Sequence, residues 1–241
     1  MFPPEGLPAP GKPILITDQL AAPADFVLHN ILGSHLKGKK DTSAIILSVS
    51  EPLARWKTVA SRSNLDLTKK TTDGAFTFID VAKETAIAEP TPTYLHSLFG
   101  RIRLQIEESP SPKSLILILD DVTTLEWIGF PTLALARFLR SLIALCTKSG
   151  VTLLVRHHTP IPDEPDDLFR ILVQLCHYQV EVMPLSSGRS GAVSGELALH
   201  VCPSAASLAS VRPIPRTHAL QYRLTDSGAV FFQRGTGQVV L

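Results

Sequence analysis

Two neighbouring acids, Asp120 and Asp121, close the apolar run Leu115–Leu119, after which the chain turns polar. In many nucleotide-hydrolysing proteins a buried parallel strand ends in an acid that helps to hold Mg²⁺. The other reading is an acid that ends a strand and caps the turn behind it. A phosphate-cradling loop would separate the two. Such a loop, G-x-x-x-x-G-K-S/T, follows a first strand: its glycines let backbone N–H groups wrap the phosphates, its lysine neutralises them and its hydroxyl binds Mg²⁺. Here the first apolar strand leads into TDQLAAPADFVLHNIL, and no glycine, lysine or arginine lies between Thr17 and Asp25. Pro23 removes an amide donor, Asp18 and Asp25 would repel a phosphate, and Asp25 is placed to cap the next helix. The loop is degenerate. Asp120 and Asp121 then stand at a degenerate metal-binding position, and no catalytic residue, metal or cofactor is expected.

Other chemistry-bearing residues divide in the same way. His157 and His158 are adjacent, with Asp163 shortly after. Neighbours on a strand point to opposite faces, so the two cannot converge on one metal. The basic cluster His35–Lys40 ends a helix, where cations suit the helix dipole, with a phosphate contact as the alternative. Lys69 and Lys70 lie in a polar, loop-like stretch and read as solvated. The segment GRSGAVSG lacks the G-x-S-x-G pattern of serine hydrolases. Trp56 and Trp127 read as core or interface anchors rather than base-stacking platforms.

The elements that must position these residues are regular. Pro13–Thr17, Ser43–Ser50, Ala75–Val81, Ser114–Asp121 and Val151–His158 read as strands, several apolar throughout, as in a sheet buried on both faces. Between them lie helices with apolar residues at helical spacing: Leu28, Ile31, Leu32 and Leu36; Leu53, Trp56 and Ala60 behind a start at Ser50–Pro52; Leu95, Leu98, Phe99, Ile102 and Ile106 behind Thr91 and Pro92; Leu135 to Cys146; and Asp166–Cys176. From Tyr178 onward four strands follow one another without helices, separated by the turn-like segments SSGRSGAVS and TDSG. Alternating strand and helix implies a mostly parallel sheet with helices on both faces, here with an antiparallel C-terminal edge.

Composition sets the outer bounds. With 44% hydrophobic and 19% charged residues the 241-residue chain is not disordered overall. A formal net charge of +1 argues against a dedicated polyanion binder while leaving room for a local basic patch. Cys146, Cys176 and Cys202 are far apart and set among apolar residues, as reduced thiols of a soluble intracellular protein would be. No membrane association is expected, because no apolar run approaches a membrane span.

The order of elements resembles the RecA-like fold. More specifically, the chain resembles the Elongator subunit six family, through ILITDQLAAPADFVLHNIL without a phosphate loop, LILILDDVTTLEWIG, the step into VTLLVRHH and, above all, LSSGRSGAVSGELALHVCP. The resemblance covers about Ile14 to Phe232. The Pro-rich residues 1–13 read as a flexible tail, and residues 14–241, without a composition break, as a single domain that the resemblance makes RecA-like. The resemblance also implies a non-catalytic subunit that joins Elongator subunits four and five in a heterohexameric ring. That ring would dock on the remaining Elongator subunits, bind tRNA and support wobble-uridine modification, in the cytoplasm and also the nucleus. Arg189, the only charge of the hairpin Ser186–Gly195, becomes a candidate contact to a tRNA phosphate or to a neighbouring subunit, against a solvated arginine on a mobile loop. His157 and His158 are candidates for the same kinds of contact. Two other readings stay open: an inactive RecA-like scaffold of another assembly, such as a recombination mediator, and an ATPase using an atypical phosphate loop.

Overall fold

The computed structural model describes residues 6–38, 41–87, 89–161, 164–185, 188, 191–205, 210–226 and 228–234. Its first half alternates strand and helix: β1 (Ile14–Asp18), α1 (Asp25–Gly38), β2 (Ser43–Ser48), α2 (Leu53–Arg62), α3 (Leu67–Thr72), β3 (Phe76–Asp80), α4 (Val81–Thr85) and α5 (Pro92–Glu107). The alternation continues through β4 (Leu115–Asp120), α6 (Val122–Trp127), α7 (Thr132–Ser149), β5 (Thr152–His158) and α8 (Asp167–Leu175). Four strands end it: β6 (Tyr178–Met183), β7 (Gly195–Val201), β8 (Leu220–Thr225) and β9 (Gly228–Phe232).

All nine strands join one sheet in the order β3-β2-β4-β5-β1-β6-β7-β8-β9. The first six run parallel, and β7 to β9 pair antiparallel. This mixed α/β sheet, flanked by helices, is consistent with the RecA-like fold expected from the sequence.

The apolar runs sort by strand alternation into two cores. Ile14, Ile16, Ile46, Ile116, Ile118 and Leu154 face one side, against Leu28, Ile31 and Leu32 of α1 and Trp56 of α2. Leu15, Ile45, Leu47, Leu117, Leu119, Leu153 and Val155 face the other, against the apolar stripes of α5, α7 and α8. Both faces are covered, which is why these strands read as continuous apolar runs. Within the Pro-rich N-terminal segment, Leu7 and Ala9 are buried against the first of these cores, so packing begins ahead of β1.

Local signals account for the helix ends. Thr91 accepts from Tyr94 N at 3.3 Å and Pro92 opens α5, as the sequence indicates. Helix α7 stops at Gly150, whose φ of 74° suits glycine. Three short helices, α3, α4 and α6, went unread in the sequence. Each has an aspartate cap, from Asp66, Asp80 and Asp121 respectively, but at five or six residues none is long enough to display a period. Lys69 and Lys70 therefore sit on a helix, not in a loop.

Candidate functional site

Strands β4, β5 and β1 are consecutive in the sheet, and their carboxyl ends meet. Here the crossover direction of the parallel sheet reverses, the place where α/β proteins hold ligands. Asp18 ends β1, Asp120 ends β4, and Arg156 stands on β5 between them, paired in register with Ile16. Because side chains alternate, Arg156 shares its face with Leu154 and points toward the start of α1.

The guanidinium is buried and donates four hydrogen bonds. Its Nε and Nη2 donate to one oxygen of Asp18 at 3.1 and 2.8 Å. Its Nη1 donates to Asp25 at 2.5 Å and to Asp120 at 3.0 Å. Three carboxylates from β1, α1 and β4 are thereby gathered on one cation. Asp18 also accepts from Ala24 N at 2.6 Å, tying down the loop after β1, and the Ser50 hydroxyl donates to Asp120 at 3.0 Å.

A second cation extends the cluster. His158 places Nδ1 2.5 Å from Asp18 and Nε2 3.1 Å from Asp121, so the imidazole is clamped between two carboxylates. Burial works against its charged form, but the bonds to Asp121 and Asp18 outweigh that, and its pKa rises to about 9. His158 is therefore an imidazolium at neutral pH. Burial pushes Asp120 up to about 6, with Arg156 only partly offsetting it. Burial also pushes Asp121 upward, yet His158 and the Thr124 donors leave it lowered overall. Two cations thus face four carboxylates, of which Asp18, Asp120 and Asp121 are buried and Asp25 is partly exposed. Among the described residues no group of three His, Cys, Asp or Glu side chains is arranged to hold a metal ion.

The structure places the sequence candidates as follows. Asp120 is engaged by Arg156, while Asp121 caps α6 through Thr124 N at 2.6 Å and is joined to Asp120 by a cis peptide bond. Asp25, read as the cap of α1, instead gives its carboxylate to Arg156. Ser50, read as a helix start for α2, instead bonds Asp120. His157 and His158 point apart: His157 is buried beside Phe169 and lies 3.1 Å from Asp166 without the alignment of a hydrogen bond. Lys39, Lys40, Asp163 and Arg189 lie outside the described residues. Arg156 was missed, although one signal was present: it is the only permanently charged residue in VTLLVRHH, an otherwise apolar strand. A G-x-x-x-x-G-K spacing does occur, at Gly6–Lys12, but Pro13 replaces the hydroxyl residue and the segment leads into β1. Gly11 N bonds Thr152 at the start of β5, so this segment lies at the amino ends of the strands, across the sheet from Asp120.

Above the cluster the surface is apolar. Trp127 is 57% exposed and stacks on His158, with ring centroids 6.1 Å apart and planes 14° from parallel. Leu20, at 77%, follows β1; Ile128 follows α6; and Ile161, at 55%, follows β5. All of these segments leave the carboxyl ends of parallel strands, so four large apolar side chains are presented at one end of the sheet.

Comparison with known proteins gives two findings. Residues 4–226 match the family described as Elongation complex protein 6. The chain is also similar to proteins named Elongator complex protein 6 from Danio rerio and Xenopus tropicalis, at 25% identity over 255 residues in each case. Those alignments cover 96% of this chain and 94% and 93% of the relatives.

Proposed function

The chain belongs to the Elongation complex protein 6 family, and from that premise we propose that it is a non-catalytic subunit of the Elongator complex. It packs beside Elongator subunits four and five in a heterohexameric ring and supports tRNA binding and wobble-uridine modification by the remaining subunits. It works in the cytoplasm and also in the nucleus.

The observation that carries the non-catalytic reading is the self-filled cluster at the carboxyl ends of β1, β4 and β5. A nucleotide phosphate arriving there would meet Asp18, Asp25, Asp120 and Asp121. It would also have to draw Arg156 out of three carboxylate contacts. Separating such buried charges is costly, since each loses its partner in a low-dielectric setting. The segment from Thr17 to Asp25 offers no lysine or glycine to offset that cost. The apolar group of Leu20, Trp127, Ile128 and Ile161 supports a subunit contact at the same end of the sheet, because exposed apolar clusters mark interaction surfaces.

Affinity purification of the tagged chain from its own cells tests the assembly. The expected result is recovery of two other RecA-like chains in equal amounts, with the remaining Elongator subunits; recovery of none of them would overturn it. Mg²⁺-dependent ATP turnover by the purified chain, abolished by Asp120→Ala, would overturn the non-catalytic reading.

A further inference from the structure

We propose that the surface built by α2, α3 and the end of α1 binds the phosphate backbone of RNA. The proposal rests on the Elongator reading for the identity of the RNA, and on the following charges for its place.

Residues 53–72 carry five cations, Arg55, Lys57, Arg62, Lys69 and Lys70, against one acid, Asp66, in a chain whose net charge is only +1. Asp66 is exposed and caps its own helix, accepting from Thr68 N and Lys69 N at 2.8 and 3.1 Å. Arg55 pairs with Glu51 at 3.0 Å, whereas Lys57, Arg62, Lys69 and Lys70 form no ion pair among the described residues. The fold adds a further cation. The Lys37 amino group at the end of α1 donates to the Ser63 carbonyl just beyond α2, which joins the basic end of α1 to this surface. The acids on its border include Glu51, paired with Arg55, and Asp25 and Asp226, which line a concavity together with Arg55 and Arg62.

Between α2 and α3 lies a concavity of about 500 Å³ whose rim includes Lys57, Thr58, Ser61, Asn64, Asp66 and Thr68. The Lys57 ammonium and the Asn64 amide are donor types that contact phosphate and sugar oxygens, whereas the Thr58 and Ser61 hydroxyls already donate to the Ala54 and Thr58 carbonyls. An acidic protein segment would share the attraction to the cations. A stable protein contact, however, also needs buried apolar anchors. Leu224, which is exposed, borders this surface beside Arg55 and Arg62, but the apolar residues of the concavity itself, Leu65 and Leu67, are buried. A cationic surface whose concavity exposes no large apolar side chain fits a nucleic-acid backbone.

The test is filter binding of unfractionated tRNA to the full chain across a range of KCl concentrations. The triple variant Lys57→Ala, Lys69→Ala, Lys70→Ala should bind at least about 10-fold more weakly at low salt. Its plot of log K against log salt should be shallower by roughly two to three, at about 0.7–0.9 for each phosphate that is no longer neutralised. The pair Arg137→Ala, Arg140→Ala, exposed on α7 across the sheet, should change neither quantity. Unchanged affinity and slope in the triple variant, or an equal loss in the α7 pair, would overturn the proposal. So would tighter binding of poly-L-glutamate than of tRNA, which would assign the surface to an acidic protein. Co-purification separates the two failures. A wild-type chain that recovers no Elongator subunit defeats the assembly reading. A triple variant that recovers them all and binds tRNA like wild type defeats only the RNA surface.

Discussion

Replacing Arg156 with methionine tests the cluster directly. Methionine keeps an unbranched, flexible stem of similar reach and removes the charge together with all four donated hydrogen bonds. Asp18 would lose both its Nε and Nη2 donors, and Asp120 its Nη1 donor, and both carboxylates are almost wholly buried. Removing one partner of a buried pair strands the other charge and costs about 3–5 kcal/mol. For a chain of this length each kcal/mol moves Tm by about 2–4 °C, so the midpoint should fall by roughly 6–20 °C. Urea unfolding followed by fluorescence reads the loss, since Trp56 is buried in the core. A pH signature should accompany it. Without Arg156 the Asp120 carboxyl, already raised to about 6 by burial, rises further. The folded state then binds the proton more tightly than the unfolded state does, so stability recovers as pH falls from 7 toward 5. Adding Asp120→Asn to the Arg156→Met chain should restore part of the loss and flatten that recovery. A loss of 1 kcal/mol or less, the worth of an exposed ion pair, would refute the reasoning.

Three further outcomes follow from the same geometry. The raised pKa of His158 contributes stability that is fully present below pH 6.5 and lost as pH rises through about 9, amounting to at most about 3 kcal/mol. Urea midpoints should therefore fall between pH 6.5 and 9.5 in the wild type, and a His158→Gln chain should lack that decline. Trp127→Ala should cost under about 1 kcal/mol, because the indole is more than half exposed, yet should weaken co-purification of neighbouring subunits. Unaltered recovery would remove the indole from the contact. Gly195→Ala should destabilise by about 1–3 kcal/mol: its Cβ would stand 2.6 Å from both the Met183 carbonyl oxygen and the Tyr222 hydroxyl, and the carbonyl belongs to the paired strand β6. Thermal melting measures that change, and an unchanged midpoint in the Gly195→Ala chain would show that β7 shifts freely.

Much of this protein is determined by the sequence itself, because the signals are local. Apolar runs such as LILIL require strands buried on both faces, the Leu135–Cys146 stripe requires a helix, and Thr91–Pro92 starts one. The lack of glycine and lysine between Thr17 and Asp25 is equally plain without a structure. What the sequence leaves open is which distant residues meet. Arg156 and Asp18 stand 138 positions apart, and only the insertion of β5 between β4 and β1 brings three carboxylates onto one guanidinium. The roles of Asp25 and Ser50 changed for the same reason: each offers a polar group to the chain, and a buried charge nearby outcompetes the local cap. Lys37, read at a helix end, and Lys69, read as solvated in a polar stretch, likewise look unrelated until α1, α2 and α3 pack side by side. Periodicity is set by neighbours along the chain and can be read there, whereas a charge takes its partner from whatever the completed fold places within about 3 Å.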